Sequence, residues 1–149
     1  MIRLAAMCLM ALAACEQDAA PLVEVSAIVG DTLPDPLTDT QGDRLRGKYI
    51  FVDRERGHCV LCHRIEGLDA DFQGDLGPAL TTVGDRLTSA QLRLRIVDYQ
   101  IIAPGTVMPS YYRNHDLYQV QEAYAGTSIL TAQQVEDLVA YLSQLQHEG

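Results

Sequence analysis

Cys59-Val60-Leu61-Cys62-His63 is the stretch of this 149-residue sequence whose residue types and spacing most directly name a chemistry. Two thiols one helical turn apart can each add to a vinyl group of a haem, and the next residue sets an imidazole beneath the iron. Cys59 and Cys62 are therefore candidate attachment points for one covalent haem c, and His63 is a candidate axial ligand. A C-x-x-C pair can also act as a thioredoxin-like redox couple or as half of a zinc site. Neither alternative finds company, because the chain has no second C-x-x-C and no alternating strand and helix pattern around this one.

A haem iron held by His63 has a sixth position to fill. Met108 stands in Thr106-Val107-Met108-Pro109-Ser110-Tyr111-Tyr112, where Pro109 keeps the residue before it extended, so a loop can present the thioether on the face opposite His63. The other methionines, Met1, Met7 and Met10, all fall in the first ten residues. Three histidines compete for the position. His58 adjoins the tethered Cys59 and His147 lies beyond the last helix, which leaves His115 as the main rival. His/Met ligation and burial both favour Fe(II) and raise the reduction potential. With both axial positions filled, the site suits one-electron transfer rather than binding of O₂ or a substrate. A ligating histidine also needs an acceptor for its second ring N–H.

The elements that must position these residues read as helices. Gly47, Ile50, Phe51 and Arg54 recur at helical spacing in a segment from near Asp43 to Gly57, a short helix leading into Cys59. Thr88-x-x-Gln91 is a capping box ahead of Leu92 and Ile96, which predicts a helix over 91–98, and a third helix is expected around Leu117 to Tyr124. Thr131-x-x-Gln134 is a second capping box, followed by Val135, Leu138, Val139, Leu142 and Leu145 on one helical stripe. No period-two pattern competes, so the fold class is all-α.

Composition agrees with one globular domain: 48% of residues are hydrophobic and 21% charged, but there is no Trp and there are 2 Phe. A haem would supply the core volume that aromatics do not, covered by the Gly47/Phe51 helix, the Met108 loop, Tyr111 or Tyr112, and the last helix. Eleven basic against twenty acidic residues give a net charge of −9, which argues against a nucleic-acid surface. A partner steered by charge should be basic where it docks.

At the N-terminus, Arg3 precedes an eleven-residue apolar run from Leu4 to Ala14, the length of a signal-peptide core and short of a ~20-residue membrane span. The run ends in Leu12-Ala13-Ala14-Cys15, which resembles the lipobox of bacterial lipoproteins and would make Cys15 an acylated N-terminus tethering the protein to a membrane. Ala11-Leu12-Ala13 is the alternative, an ordinary signal-peptidase site. The expected organisation is a signal peptide over 1–14, an acidic Pro-containing linker or surface-wrapping arm over 15–42, and a haem-binding domain over 43–149.

With these residues in place, the sequence resembles the class I cytochrome c family from roughly Gly42 to Leu145, through the haem motif, Gly77-Pro78-Ala79-Leu80, Met108-Pro109 and Val139-Ala140-Tyr141-Leu142. The resemblance implies four to five short helices around a covalent haem, with an N-terminal extension. It also implies that the Pro78 carbonyl accepts the second N–H of His63. More narrowly the chain is similar to the SoxX-type subunits of bacterial sulfur oxidation, through Gln91-Leu92-Arg93-x-Arg95-Ile96-Val97-Asp98, the Thr106 to Tyr112 block and Ile129 to Asp137. That likeness implies a periplasmic heterodimer with a haem-bearing SoxA subunit, which joins thiosulfate oxidatively to a cysteine of the carrier protein SoxY and releases two electrons. In that L-cysteine S-thiosulfotransferase complex the sulfur chemistry belongs to SoxA. A SoxX-type chain is an accessory electron acceptor with no catalytic residue, and it passes electrons to a soluble cytochrome. Two other readings stay open: a free-standing respiratory electron carrier, and a haem sensor in which Met108 yields to a gas.

Overall fold

Two neighbouring carboxylates of the last helix, Glu136 and Asp137, organise the molecule, a computed structural model in which residues 20–147 are described. The described residues form four α-helices, α1 (Arg44–Val52), α2 (Val83–Arg86), α3 (Ser89–Asp98) and α4 (Ala132–Leu142), with short 3₁₀ turns among them. Among the described residues there is no strand, only a bridge between Val29 and Thr32, and no helix is long and apolar enough to cross a membrane. The signal peptide and the Cys15 alternatives lie outside the described residues.

Each main helix starts on a polar cap, which satisfies backbone N–H groups that a helix cannot pair internally. Asp43 accepts from the N–H groups of Leu45 and Arg46 at 2.8 and 2.9 Å. Both expected capping boxes form, Thr88 with Gln91 and Thr131 with Gln134. Such a cap stabilises by about 1 kcal/mol.

α1 crosses α4 closely because Gly47 faces the Asp137 backbone carbonyl, where any Cβ would collide. Phe51, fully buried, then meets Tyr141 edge to face at 5.9 Å. The Asp137 carboxylate closes the same contact: it takes two hydrogen bonds from the Arg46 guanidinium, at 2.8 and 2.9 Å, and one from the Asp43 N–H at 2.7 Å. Burial pushes the Asp137 carboxyl up, but these donors and Gln133 outweigh it and leave it below its ordinary value.

Glu136 does the equivalent for α3. Its carboxylate receives Arg93 bidentately at 2.7 and 2.9 Å, and both residues are buried. A third Arg93 N–H donates to the Leu33 carbonyl, and the Leu37 N–H donates to Glu136. Asp31 accepts from Gln91 and Arg95, so residues 31–37 lie along α3 and α4 with Leu33 in the core.

Three sequence expectations need correction. The first helix ends at Val52 rather than running to Gly57, because the Asp53 carbonyl accepts from the N–H groups of Arg56 and His58 and turns the chain back. The expected helix around Leu117 to Tyr124 is a loop with one 3₁₀ turn over Glu122–Tyr124; Asp116 and Gln119 adopt positive φ there, which no right-handed helix accommodates. The last helix stops at Leu142, although Leu145 still packs on the core.

Candidate haem site

The C-x-x-C-H segment is a tight turn. His58, at φ 45°, takes the left-handed conformation that begins a 3₁₀ turn over Cys59–Leu61, and the N–H groups of Cys62 and His63 both donate to the Cys59 carbonyl. Histidine is among the non-glycine residues that tolerate this conformation. The chain then loops out and returns alongside: the N–H groups of Gly74, Gly77 and Leu80 donate to the carbonyls of Val60, Cys62 and Arg64 at 2.8–2.9 Å. Backbone alone therefore sets Pro78 beside His63.

The His63 Nδ1 lies 2.8 Å from the Pro78 carbonyl oxygen. A carbonyl only accepts, so Nδ1 carries the proton and Nε2 keeps its lone pair for a ligand. Gly77 makes this possible, since a Cβ there would strike the imidazole ring.

Two adjoining apolar clefts of about 170 and 240 Å³ open beside this ring. Cys59 and Cys62 line the first, Ile96 and Leu142 line the second, and His63, Pro78, Tyr99 and Met108 line both. Of the sixth-ligand candidates, Met108 is the one that shares both clefts with His63. His58 reaches the first from the thiol side, His115 sits against Asn114, and His147 lies at the surface beside Asp85.

The residues fit a covalent haem. Both thiols are free and half-buried on the wall of the first cleft, and an imidazole lone pair and a thioether share the apolar space. Burial pushes the Cys59 thiol up to about 12, the opposite of the lowered value that a thioredoxin-like nucleophile requires. A zinc site lacks a donor set, because no cluster of three or more His, Cys, Asp or Glu groups occurs among the described residues. Burial also raises the Tyr111 hydroxyl, beside the same thiols.

One part of the expected haem cover is different in the structure. The Gly47/Phe51 helix spends its apolar face on α4 and does not line either cleft. The wall of the second cleft comes instead from α3, through Leu92, Arg95 and Ile96, while Tyr99 lines both clefts and Tyr111, of the two tyrosines expected, lines the first. Sequence reasoning missed α3 in this role, although its Leu92/Ile96 stripe was visible.

A family model for cytochrome c matches residues 45–146. This chain belongs to the cytochrome c family. Among solved structures the cytochrome is similar to a chain of SoxXA from P. pantotrophus, at 34% identity, over 80% of this chain and 93% of that one, with a TM-score of 0.74. At that identity and coverage it groups with the SoxX-type cytochromes. The c-type cytochrome SorU from Sinorhizobium meliloti is 22% identical, covering 68% of this chain and 88% of that one, with a TM-score of 0.44. No curated protein matches the cytochrome.

Proposed function

We propose that this cytochrome is the electron-transfer subunit of a SoxAX-type sulfur-oxidation complex in the periplasm. The carrying observation is the likeness to SoxXA, which extends over nearly the whole of that chain at 34% identity. In this reading Cys59 and Cys62 would hold a haem by thioether bonds, His63 and Met108 would ligate its iron, and Pro78 would fix the orientation of the His63 ring. The haem supplies a one-electron couple when bound. The chain's own residues do the rest. Pro78 accepts from Nδ1 and makes the imidazole a better donor, while Ile96, Leu142 and Tyr111 exclude water, which favours the reduced state.

The partner is a SoxA-like haem subunit carrying the sulfur chemistry, with a SoxY-like carrier reached through the complex and a soluble cytochrome as acceptor. Exposed apolar side chains at the first cleft, Leu76 at 70% and Val107 at 76%, support docking at this rim. Residues 1–14 act as the export signal and residues 15–42 as an arm, with a membrane tether if Cys15 is acylated.

The test is purification of the tagged mature protein from its native periplasm, with haem staining of the gel. Copurification of a second haem protein, and reduction of this cytochrome by thiosulfate when that partner and a carrier protein are present, is the expected result. A monomer that exchanges electrons directly with an oxidase would instead establish the free-standing carrier.

A further inference from the structure

Met108 sits in a loop, residues 99–110, that has little structure of its own. A 3₁₀ turn over Tyr99–Ile101 starts it, closed by the N–H groups of Ile102 and Ala103 on the Tyr99 carbonyl at 3.0 and 2.9 Å. Beyond that the bonds within it are Thr106 N–H to the Ala103 carbonyl at 3.1 Å and Met108 N–H to the Thr106 hydroxyl at 3.2 Å. Its tip, Pro104-Gly105, is exposed, and Met108 itself is half-buried. Yet both ends of the loop reach one carboxylate. Asp98, the last residue of α3, accepts through Oδ1 from the Gln100 N–H at 3.1 Å and from the Ser110 hydroxyl at 2.6 Å. Its Oδ2 accepts from Arg113 at 3.2 Å, and Arg113 also donates to the carbonyls of His115 and Asp116 and to the Gln100 side chain.

A buried carboxylate at the C-terminal end of a helix is in an unfavourable place, because the last-turn carbonyls repel negative charge. Asp98 is 6% exposed, and its charge is offset there by the Arg113 guanidinium together with the Gln100 N–H and the Ser110 hydroxyl of the loop. Its bond to Ser110 lies two residues from Met108, with the stiff Pro109 between, so little slack separates the carboxylate from the thioether.

We propose that Asp98 is the clasp of the Met108 loop: by pinning Gln100 and Ser110 to the end of α3 it is a positioning residue for the sixth ligand. The inference rests on the reading of Met108 as that ligand. Loss of the clasp lets the loop swing out, so an added ligand displaces the sulfur more easily, while the His63 side is untouched.

The experiment uses the haem-loaded ferric protein with imidazole as the competing ligand, following the weak long-wavelength absorption of the iron–sulfur(Met) bond. Losing a hydrogen bond to a charged group should make imidazole bind about tenfold more tightly in Asp98→Asn, and about threefold in Ser110→Ala. Asp137→Asn, which removes a buried carboxylate at the α1/α4 contact, should lower the unfolding midpoint with imidazole affinity unchanged. Unchanged affinity in both Asp98→Asn and Ser110→Ala overturns the proposal, as does an equal rise in Asp137→Asn. If Asp98→Asn fails to accumulate, Ser110→Ala decides alone. Met108→Ala separates the two readings. Absorption that survives this change overturns the ligand assignment itself, whereas absorption lost there with affinity unmoved in the clasp variants overturns only the clasp.

Discussion

The two sides of the haem cleft are built by different means. On the His63 side, ladder-like backbone bonds tie residues 74–80 to 60–64, and the ring is fixed by the Pro78 carbonyl and by the absence of a Cβ at Gly77. On the Met108 side the backbone is tied to α3 through the N–H groups of Tyr111 and Tyr112, each 3.2 Å from its acceptor, and the closer bond is the Asp98 side chain on Ser110. A ligand held by backbone geometry tolerates most side-chain changes nearby. One held by a side-chain clasp depends on single residues, and so is the side where substitution can tune ligand strength without unfolding the protein.

The largest expected effect breaks the buried pair that joins α3 to α4. Glu136→Gln leaves Arg93 buried with half its partner and should cost about 3–5 kcal/mol in urea unfolding, because an uncompensated buried charge is far worse than no charge. An unchanged midpoint would show that the pair does not hold α3 to α4. Next, Gly77→Val forces the His63 ring off Pro78 and should cost about 1–3 kcal/mol as overpacking. The methionine absorption should persist, and redox titration should find a higher potential, because the imidazole loses the acceptor that makes it a stronger donor to Fe(III). Thr106→Val breaks the bond to the Met108 N–H at a cost of about 1 kcal/mol, which predicts imidazole binding tightened about fivefold. A potential that moved as far as in Gly77→Val would erase the contrast.

The smallest effect lies away from both sides. The Asp137 carboxyl is held below its ordinary value of 3.8, so the folded state binds fewer protons there than the unfolded chain. Its contribution is fully present above that value and is lost as the pH falls through it towards the lowered folded value. The unfolding midpoint should therefore drop between about pH 5 and about pH 3, with a flatter profile in Asp137→Asn. The slope should be shallow because Arg46 is more than half exposed.

Much of the site could be read from local sequence. The two capping boxes act over three residues and form as expected, and C-x-x-C-H folds as one tight turn, whereas the contact of Pro78 with His63 spans 15 residues and is implied by the family resemblance rather than by local pattern. The helix expected at 117–124 failed because nothing on its apolar residues is buried: Tyr118 is 86% exposed, and a weak periodicity without a packing surface does not hold a helix. Asp98 stands at the end of the Gln91 to Asp98 block, but its role was not legible there because two of its donors, Ser110 and Arg113, lie 12 and 15 residues on.

By itself the sequence determined which atoms are offered to a haem and which helices begin where, since thiol spacing, caps and apolar stripes are short-range properties. Tertiary structure decided which helix lines the cleft and what restrains the loop that carries Met108. Those outcomes depend on where Glu136 and Asp137 draw α3 and α1, and on the Asp98 carboxylate meeting two distant donors, Ser110 and Arg113, which no local pattern encodes.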